Sequence, residues 1–351
     1  MSAHDQKRAE LVELGHQLLA DHLVVRTWGN FSLRLEGSTF LITPSGRRYE
    51  TMQNEDLTVV NEDGWTGPFK PSSEYPMHAA TYARFPRAQT VIHTHQPYAS
   101  ALSLGSADIE LSEEDAEVLG QPTIPIAGYG LPSTGKLHKN VEATLERTGS
   151  RVILLKAHGA IIWAEDSAEA RRLGNALEAI AKKIYLRTIY GPGPYLEVPA
   201  EGSHSERGGG LVADGRPNPG EEADHGRIYA NRPDVGAIIT VTDRDVRAFV
   251  GSTLKPYLDD FAQLVGIKAD GSVKHNLILT KHRAYAVGPD LEAAQNVASV
   301  SIKNARAARY ATAHLASPIN VLECILMNQI YQRKYSKQAG ELPESSIDTG
   351  A

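Results

Sequence analysis

A repeat restricts the fold of this chain more than any other feature. Residues 78–92, reading HAATYARFPRAQTVI, return as residues 225–239, reading HGRIYANRPDVGAII, with the proline moved by one position. Residues 152–160 (VILLKAHGA) return as residues 276–284 (NLILTKHRA), and each copy runs on into an alanine-rich helical pattern. The shared order, spacing and His-Xaa-Xaa-Xaa-Tyr-Ala signature predict two related α/β units in tandem. A chain of 351 residues is long enough for each to bury its own core. Between them, Gly191-Pro192-Gly193-Pro194 opens a polar, glycine-rich stretch that reads as a connection. The expected division is a first unit over residues 1–195, a linker over 196–214 and a second unit over 215–345.

Local periodicity supports the α/β reading. Leucines and alanines at helical spacing predict a helix from Asp5 to His22, then short strands near residues 33–35 and 39–42. Strand patterns at residues 89–93 and 151–156 alternate with helix patterns at 74–84, 98–104 and 167–190. With 41% hydrophobic and 22% charged residues and no apolar run near the roughly 18 residues of a membrane span, a soluble chain is expected. The polar N-terminus carries no export pattern, which predicts a cytoplasmic protein. A net charge of -6 argues against nucleic acid as the main partner. The single cysteine, Cys324, excludes an intrachain disulfide and, in its apolar surroundings, reads as a buried thiol.

Two imidazoles stand at i and i+2 at the end of the apolar run Val91-Ile92-His93-Thr94-His95. The strand period of two turns both to one face, a geometry suited to one metal ion. His158, at the end of the apolar run 152–155 and beside Gly159, is the candidate third ligand.

These histidines belong to an ordered series: Gly29-Asn30-Phe31-Ser32-Leu33-Arg34, Thr43-Pro44-Ser45-Gly46, Lys70-Pro71-Ser72-Ser73-Glu74, His78 with Tyr82, His93-Thr94-His95 and Lys156-Ala157-His158-Gly159. The series resembles the class II aldolase/adducin family, which includes the fuculose-phosphate and rhamnulose-phosphate aldolases and ribulose-phosphate 4-epimerase. The resemblance implies a three-layer α/β/α domain in which His93, His95 and His158 hold one divalent ion. Zinc is the first choice, with iron, manganese or cobalt as alternatives. It implies that Glu74 handles the proton and that Asn30, Ser45, Gly46, Ser72 and Ser73 line a cradle for a small anionic substrate. This sequence adds Arg47 and Arg48 beside that cradle. The implied activity is that of a lyase, cleaving a carbon–carbon bond through a metal-stabilised enediolate on a phosphorylated or carboxylated hydroxy-carbonyl compound. The same scaffold also carries decarboxylases and non-haem iron oxygenases. A non-catalytic, adducin-like scaffold is the remaining alternative, and an intact triad argues against it.

The pattern departs from the family in two places. Where the fuculose-phosphate aldolase has a proton-donating tyrosine reaching from a neighbouring subunit, this chain has Glu114, which leaves Tyr129 as a candidate donor. In the second unit Thr240 and Thr242 replace His93 and His95, Pro219-Gly220-Glu221 replaces Ser72-Ser73-Glu74, and only His282 survives at a ligand position. That unit also lacks recognisable Gly-Asn-Xaa-Ser and Thr-Pro-Ser-Gly segments. It is expected to be a truncated, degenerate repeat without a metal site. Family members form four-fold rings, so two chains of this kind would make a homodimer equivalent to a pseudo-tetramer, with Tyr229, Arg232 or Arg244 lent to the live site.

Overall fold

The computed structural model describes residues 3–25, 27–195, 199–212 and 219–338. The chain opens with α1 (Ala3–Ala20), whose Leu11, Leu14 and Leu18 fall on one face and are all buried. Four antiparallel strands follow: β1 (Asn30–Glu36), β2 (Thr39–Ile42), β3 (Thr58–Asn61) and β4 (Gly64–Thr66). Next come α2 (Tyr75–Arg84), β5 (Thr90–Thr94), α3 (Pro97–Leu102), β6 (Ile109–Glu110), α4 (Glu113–Leu119), β7 (Thr123–Ile124) and β8 (Ile126–Ala127). The first half ends with α5 (Gly135–Thr148), β9 (Val152–Leu155), β10 (Gly159–Ala164) and α6 (Ser167–Tyr190).

The main sheet runs β4-β3-β2-β1-β5-β10-β9-β8, with only β8 and β9 parallel. Adjacent residues explain its layers. Ile92 and Leu154 pack with Leu11, Leu173 and Leu177 on one face, while Val91 and Ile153 pack with Met77, Leu137 and Val141 on the other. Because both faces are covered by helices, β5 and β9 are apolar at every position that packs, and the expected α/β/α layering holds for this half.

The second half contains β11 (Glu201–Glu206), α7 (Pro219–Asn231), β12 (Ala237–Val241), α8 (Arg244–Arg247), α9 (Asp259–Leu264), β13 (Leu277–Leu279), β14 (Ala284–Gly288), α10 (Leu291–Ala313) and α11 (Val321–Gln338). Its sheet runs β11-β12-β14-β13, the same succession of antiparallel pairs as β1-β5-β10-β9. Asp166 caps α6 by accepting the Glu169 N–H, and Asp290 caps α10 by accepting the Ala293 N–H.

One expectation is corrected here. Residues 201–206 lie inside the stretch read as a linker, yet they form β11, and Ser205 stands opposite Ile238 as Ser32 stands opposite Val91. Gly202-Ser203-His204-Ser205-Glu206-Arg207 keeps only the glycine, the second serine and the arginine of residues 29–34. So thin a match inside a glycine-rich stretch reads as a loop.

The halves are joined by buried polar contacts as well as apolar ones. Asp245 accepts from Tyr185 (2.8 Å), Tyr190 (2.6 Å) and Arg309 (2.6 Å), and at the surface Arg48 pairs with Glu292 at 3.2 Å. Cys324 is buried as expected, and burial pushes its thiol up to about 11. No described helix is long and apolar enough to cross a membrane.

Candidate metal centre

His93 ends β5 one pair before the strand stops, and His95 follows just beyond it, its N–H held by the Leu23 carbonyl at 3.0 Å. His158 enters from the turn between β9 and β10, directly beside them. The three ring centroids lie 4.6–4.8 Å apart, and each ring offers a nitrogen within 4.8 Å of the others. Two glycines permit this approach. A Cβ on Gly159 would sit 2.2 Å from the Thr94 carbonyl oxygen, and Gly29, at φ +96°, leaves no room between Val24 and the His93 carbonyl.

The second nitrogen of two rings is already committed, which fixes where the first points. His93 Nδ1 donates to the Ala160 carbonyl at 2.8 Å, and His158 Nδ1 bonds to the Asp259 carboxylate. Their Nε2 atoms both face Glu74, whose two oxygens lie 3.3 Å from His93 Nε2 and 3.3 Å from His158 Nε2. His95 Nε2 and His93 Nε2 face each other at 2.8 Å. His95 Nδ1 and His158 Nε2 are buried without a hydrogen-bond partner among the described residues. Three buried rings whose nitrogens converge, with His158 Nε2 left without a hydrogen-bond partner, fit a divalent cation that accepts neutral imidazole.

Charge follows the same logic. Burial lowers His93 to about 4 and holds His95 well below the usual imidazole range, so both keep lone pairs. Burial also opposes charging His158, but the Asp259 and Glu74 carboxylates outweigh it and raise it to about 10. For Glu74, burial is outweighed by His158, His93 and the Asn30 amide, and its carboxyl falls far below the ordinary range.

Glu74 occupies the N-cap of α2, yet its side chain does not cap that helix. A buried relay holds it instead. Tyr82 and Ser32 hydroxyls meet at 2.8 Å, Ser32 reaches His78 Nδ1 at 2.7 Å, His78 Nε2 donates to Asn30 Oδ1 at 2.6 Å, and Asn30 Nδ2 donates to Glu74 at 3.0 Å. Burial drops His78 to about 3, so the ring stays neutral inside the relay. Asn30, expected to face substrate, thus spends both ends of its amide on His78 and Glu74 while bordering the cavity.

A cavity of about 360 Å³ opens over Glu74, His95 and His158, and Ser45, Gly46, Ser72 and Ser73 all line it. Arg47 does not. Its guanidinium pairs with Asp56 at 3.1 Å and covers the Phe69 ring, and Arg48 is drawn to Glu50 and Glu292. No lysine or arginine is among the described lining residues. Tyr129 also points elsewhere, donating to Glu323 at 3.1 Å, and Glu114 is exposed on α4. Tyr229, Arg232 and Arg244 are engaged with Ser205, Asp234 and Tyr190 respectively, and none lines the cavity of its own chain. What the sequence left unmarked is the contribution of the second half: Asp259 behind His158, and Gln263, Leu326, Ile330 and Tyr331 on the cavity wall.

At the matching place in the second half, Glu221 accepts from the Ser203 and Thr240 hydroxyls. Ser205 bonds to His225 Nδ1 at 2.8 Å and to the Tyr229 hydroxyl at 3.0 Å. Thr242 donates away, to the Pro199 carbonyl at 2.6 Å, and His282 is exposed in the β13–β14 turn.

The class II aldolase and adducin N-terminal domain matches this chain over residues 9–185. A 5-methylthioribulose-1-phosphate/5-deoxyribulose-1-phosphate aldolase of Rhodospirillum rubrum is 30% identical over 179 residues, 51% of this chain and 80% of the relative. An L-ribulose-5-phosphate 4-epimerase of Salmonella paratyphi A is 32% identical over 193 residues, 49% of this chain and 80% of the relative. A solved structure of an L-fuculose 1-phosphate aldolase is 27% identical with a TM-score of 0.50, covering 56% of this chain and 92% of that one.

Proposed function

The chain belongs to the class II aldolase and adducin family, its relatives named above are enzymes, and from that membership we propose that it is a metal-dependent lyase acting on a phosphorylated or carboxylated hydroxy-carbonyl compound. The reading rests on one observation, the convergence of three imidazoles, two of which, His93 and His158, face the two oxygens of Glu74. A divalent ion held by His93, His95 and His158, zinc first and iron, manganese or cobalt next, would supply stabilisation of the negative charge left when a carbon–carbon bond beside a carbonyl breaks.

The chain's own groups do the rest. Glu74 takes the hydroxyl proton of the substrate as the bond breaks, the bonding electrons pass to the carbonyl side, and the proton returns to the new carbanion carbon. The relay through Asn30, His78 and Ser32 keeps the carboxylate aimed at that work. Ser45, Ser72 and Ser73 offer hydroxyls to the substrate's anionic group. Trp28, Leu131, Leu326 and Ile330 line the same cavity and suit an apolar part of the substrate while excluding water.

The second half is read as a degenerate copy of the first, supported by the matching strand pairings and by the repeated serine, histidine and tyrosine cluster. A homodimer in which intact and degenerate halves alternate belongs to the same reading, and a solution mass of two chains with one ion per chain is the expected result.

Metal analysis followed by assays with and without oxygen tests the activity. The expected result is cleavage of a phosphorylated ketose or hydroxy acid into two carbonyl fragments at equal rates in both gases. Oxygen-dependent turnover with bound iron, or release of carbon dioxide in place of aldol cleavage, would overturn the lyase reading.

A further inference from the structure

The turn that delivers His158 is held from the other half of the chain. Ala157, one residue earlier, sits at φ 62°, a left-handed conformation that strains a residue with a side chain and persists only where neighbours enforce it. Two groups do so here. The Ala157 N–H donates to Ser103 Oγ at 3.1 Å, and the Ala157 carbonyl accepts the Asp259 N–H at 3.2 Å. Asp259 then uses its side chain as well: Oδ2 meets His158 Nδ1, and Oδ1 accepts the Asp260 N–H at 2.8 Å.

Asp259 is itself firmly placed. It starts α9 and is 1% exposed. Asn304 of α10 accepts the N–H groups of Tyr257 and Leu258 just before it, at 2.7 and 3.0 Å, and Lys303 of α10 pairs with the buried Asp260 at 2.6 Å just after it. A continuous path of buried polar contacts thus runs from α10 through α9 to the His158 ring. Residues 9–185 bound the family domain, so every member of this path from Tyr257 onward lies outside it.

We propose that Asp259 is a positioning residue of the three-histidine centre: one carboxylate from the second half fixes both the backbone turn and the ring of His158, so that the second half is an integral part of the metal site. The assignment rests on the metal ligation proposed above. A carboxylate on Nδ1 keeps the proton there and leaves Nε2 as the ligand, which is how carboxylate partners of metal-bound histidines act. Asp259→Asn is nearly isosteric and keeps the acceptor for the Asp260 N–H. It also presents an N–H to His158 Nδ1, driving the ring proton onto Nε2, where it blocks ligation.

The test is zinc affinity of the full-length protein, measured by chelator competition on wild type and Asp259→Asn, with the melting temperature of both metal-free proteins. Wild type should bind one zinc, and Asp259→Asn should bind it roughly 10–100-fold more weakly with a metal-free melting temperature unchanged within about 3 °C. Unchanged affinity in the folded variant would overturn the role of Asp259 alone. Failure of wild type to bind zinc, or binding unaffected by His95→Ala, would overturn the metal ligation on which the role rests. Independently of whether the variant folds, long-range nitrogen NMR correlations of the zinc-loaded wild type should show the His158 proton on Nδ1, and ligation through Nδ1 would also overturn the proposal.

Discussion

Around His78 and around His225 the molecule builds nearly the same buried cluster, and what differs is the group at its end. In the first half a tyrosine, a serine, an imidazole and an amide lead to Glu74, which faces the rings of His93 and His158. In the second, a tyrosine, a serine and an imidazole recur, but Glu221 is met by the hydroxyls of Ser203 and Thr240. The two clusters answer to different demands. A buried imidazole left without partners costs about 1–3 kcal/mol wherever it sits. Three converging imidazoles, by contrast, are costly unless an ion is bound, and short hydroxyl side chains that satisfy the carboxylate remove that cost.

The sharpest way to break the comparison is to delete the histidine in the β9–β10 turn of one half and in the β13–β14 turn of the other. His158→Ala should lower zinc affinity by more than about 100-fold and reduce turnover to background. His282→Ala, in an exposed turn, should leave both within about twofold. Metal content measured on the purified variants decides it: loss of the ion in His282→Ala, or two ions in wild type, ends the asymmetry between halves.

A second pair separates the carboxylates. Glu74→Gln should fold normally and turn over roughly 100-fold more slowly or worse. Glu221→Ala should cost about 1–3 kcal/mol of stability, read from a urea midpoint, with turnover nearly unchanged, since it leaves two buried hydroxyls without their acceptor. Normal turnover by a folded Glu74→Gln protein would remove the chemical half of the contrast.

The smallest effect sharpens the likeness instead of the difference. Tyr82→Phe and Tyr229→Phe each delete one hydroxyl from equivalent clusters, and each should cost about 0.5–1.5 kcal/mol with little change in activity. Costs that differ by several kcal/mol would show that the clusters only look alike.

Much of the first half could be read from its residues, and the reason is local. A strand covered on both faces carries an apolar run, as residues 91–92 do in β5 and residues 152–155 do in β9, and a capped amphipathic helix marked α6 from Ser167 to Tyr190. The histidines followed, because strand ends set their direction. β11 escaped because its strand carries serines, a glycine and a histidine, held by pairing with β12 and not by apolar side chains of its own. Arg47 was misjudged because Asp56 and Phe69 capture it, a matter of tertiary neighbours that no spacing of charges reveals. Asp259 and Tyr331 reach the site across the fold, and periodicity carries no information about contacts so distant in sequence.

The left-handed turn at Ala157 has a consequence for the order of events during synthesis. Its brace at Asp259 lies 101 residues beyond His158. At about 5–20 residues per second, His158 leaves the ribosome roughly 5–20 s ahead of the carboxylate that steers it. A nascent chain therefore displays its imidazoles before the turn that aims one of them is secured. The turn that carries His158 is therefore completed only when α9 docks, late in translation.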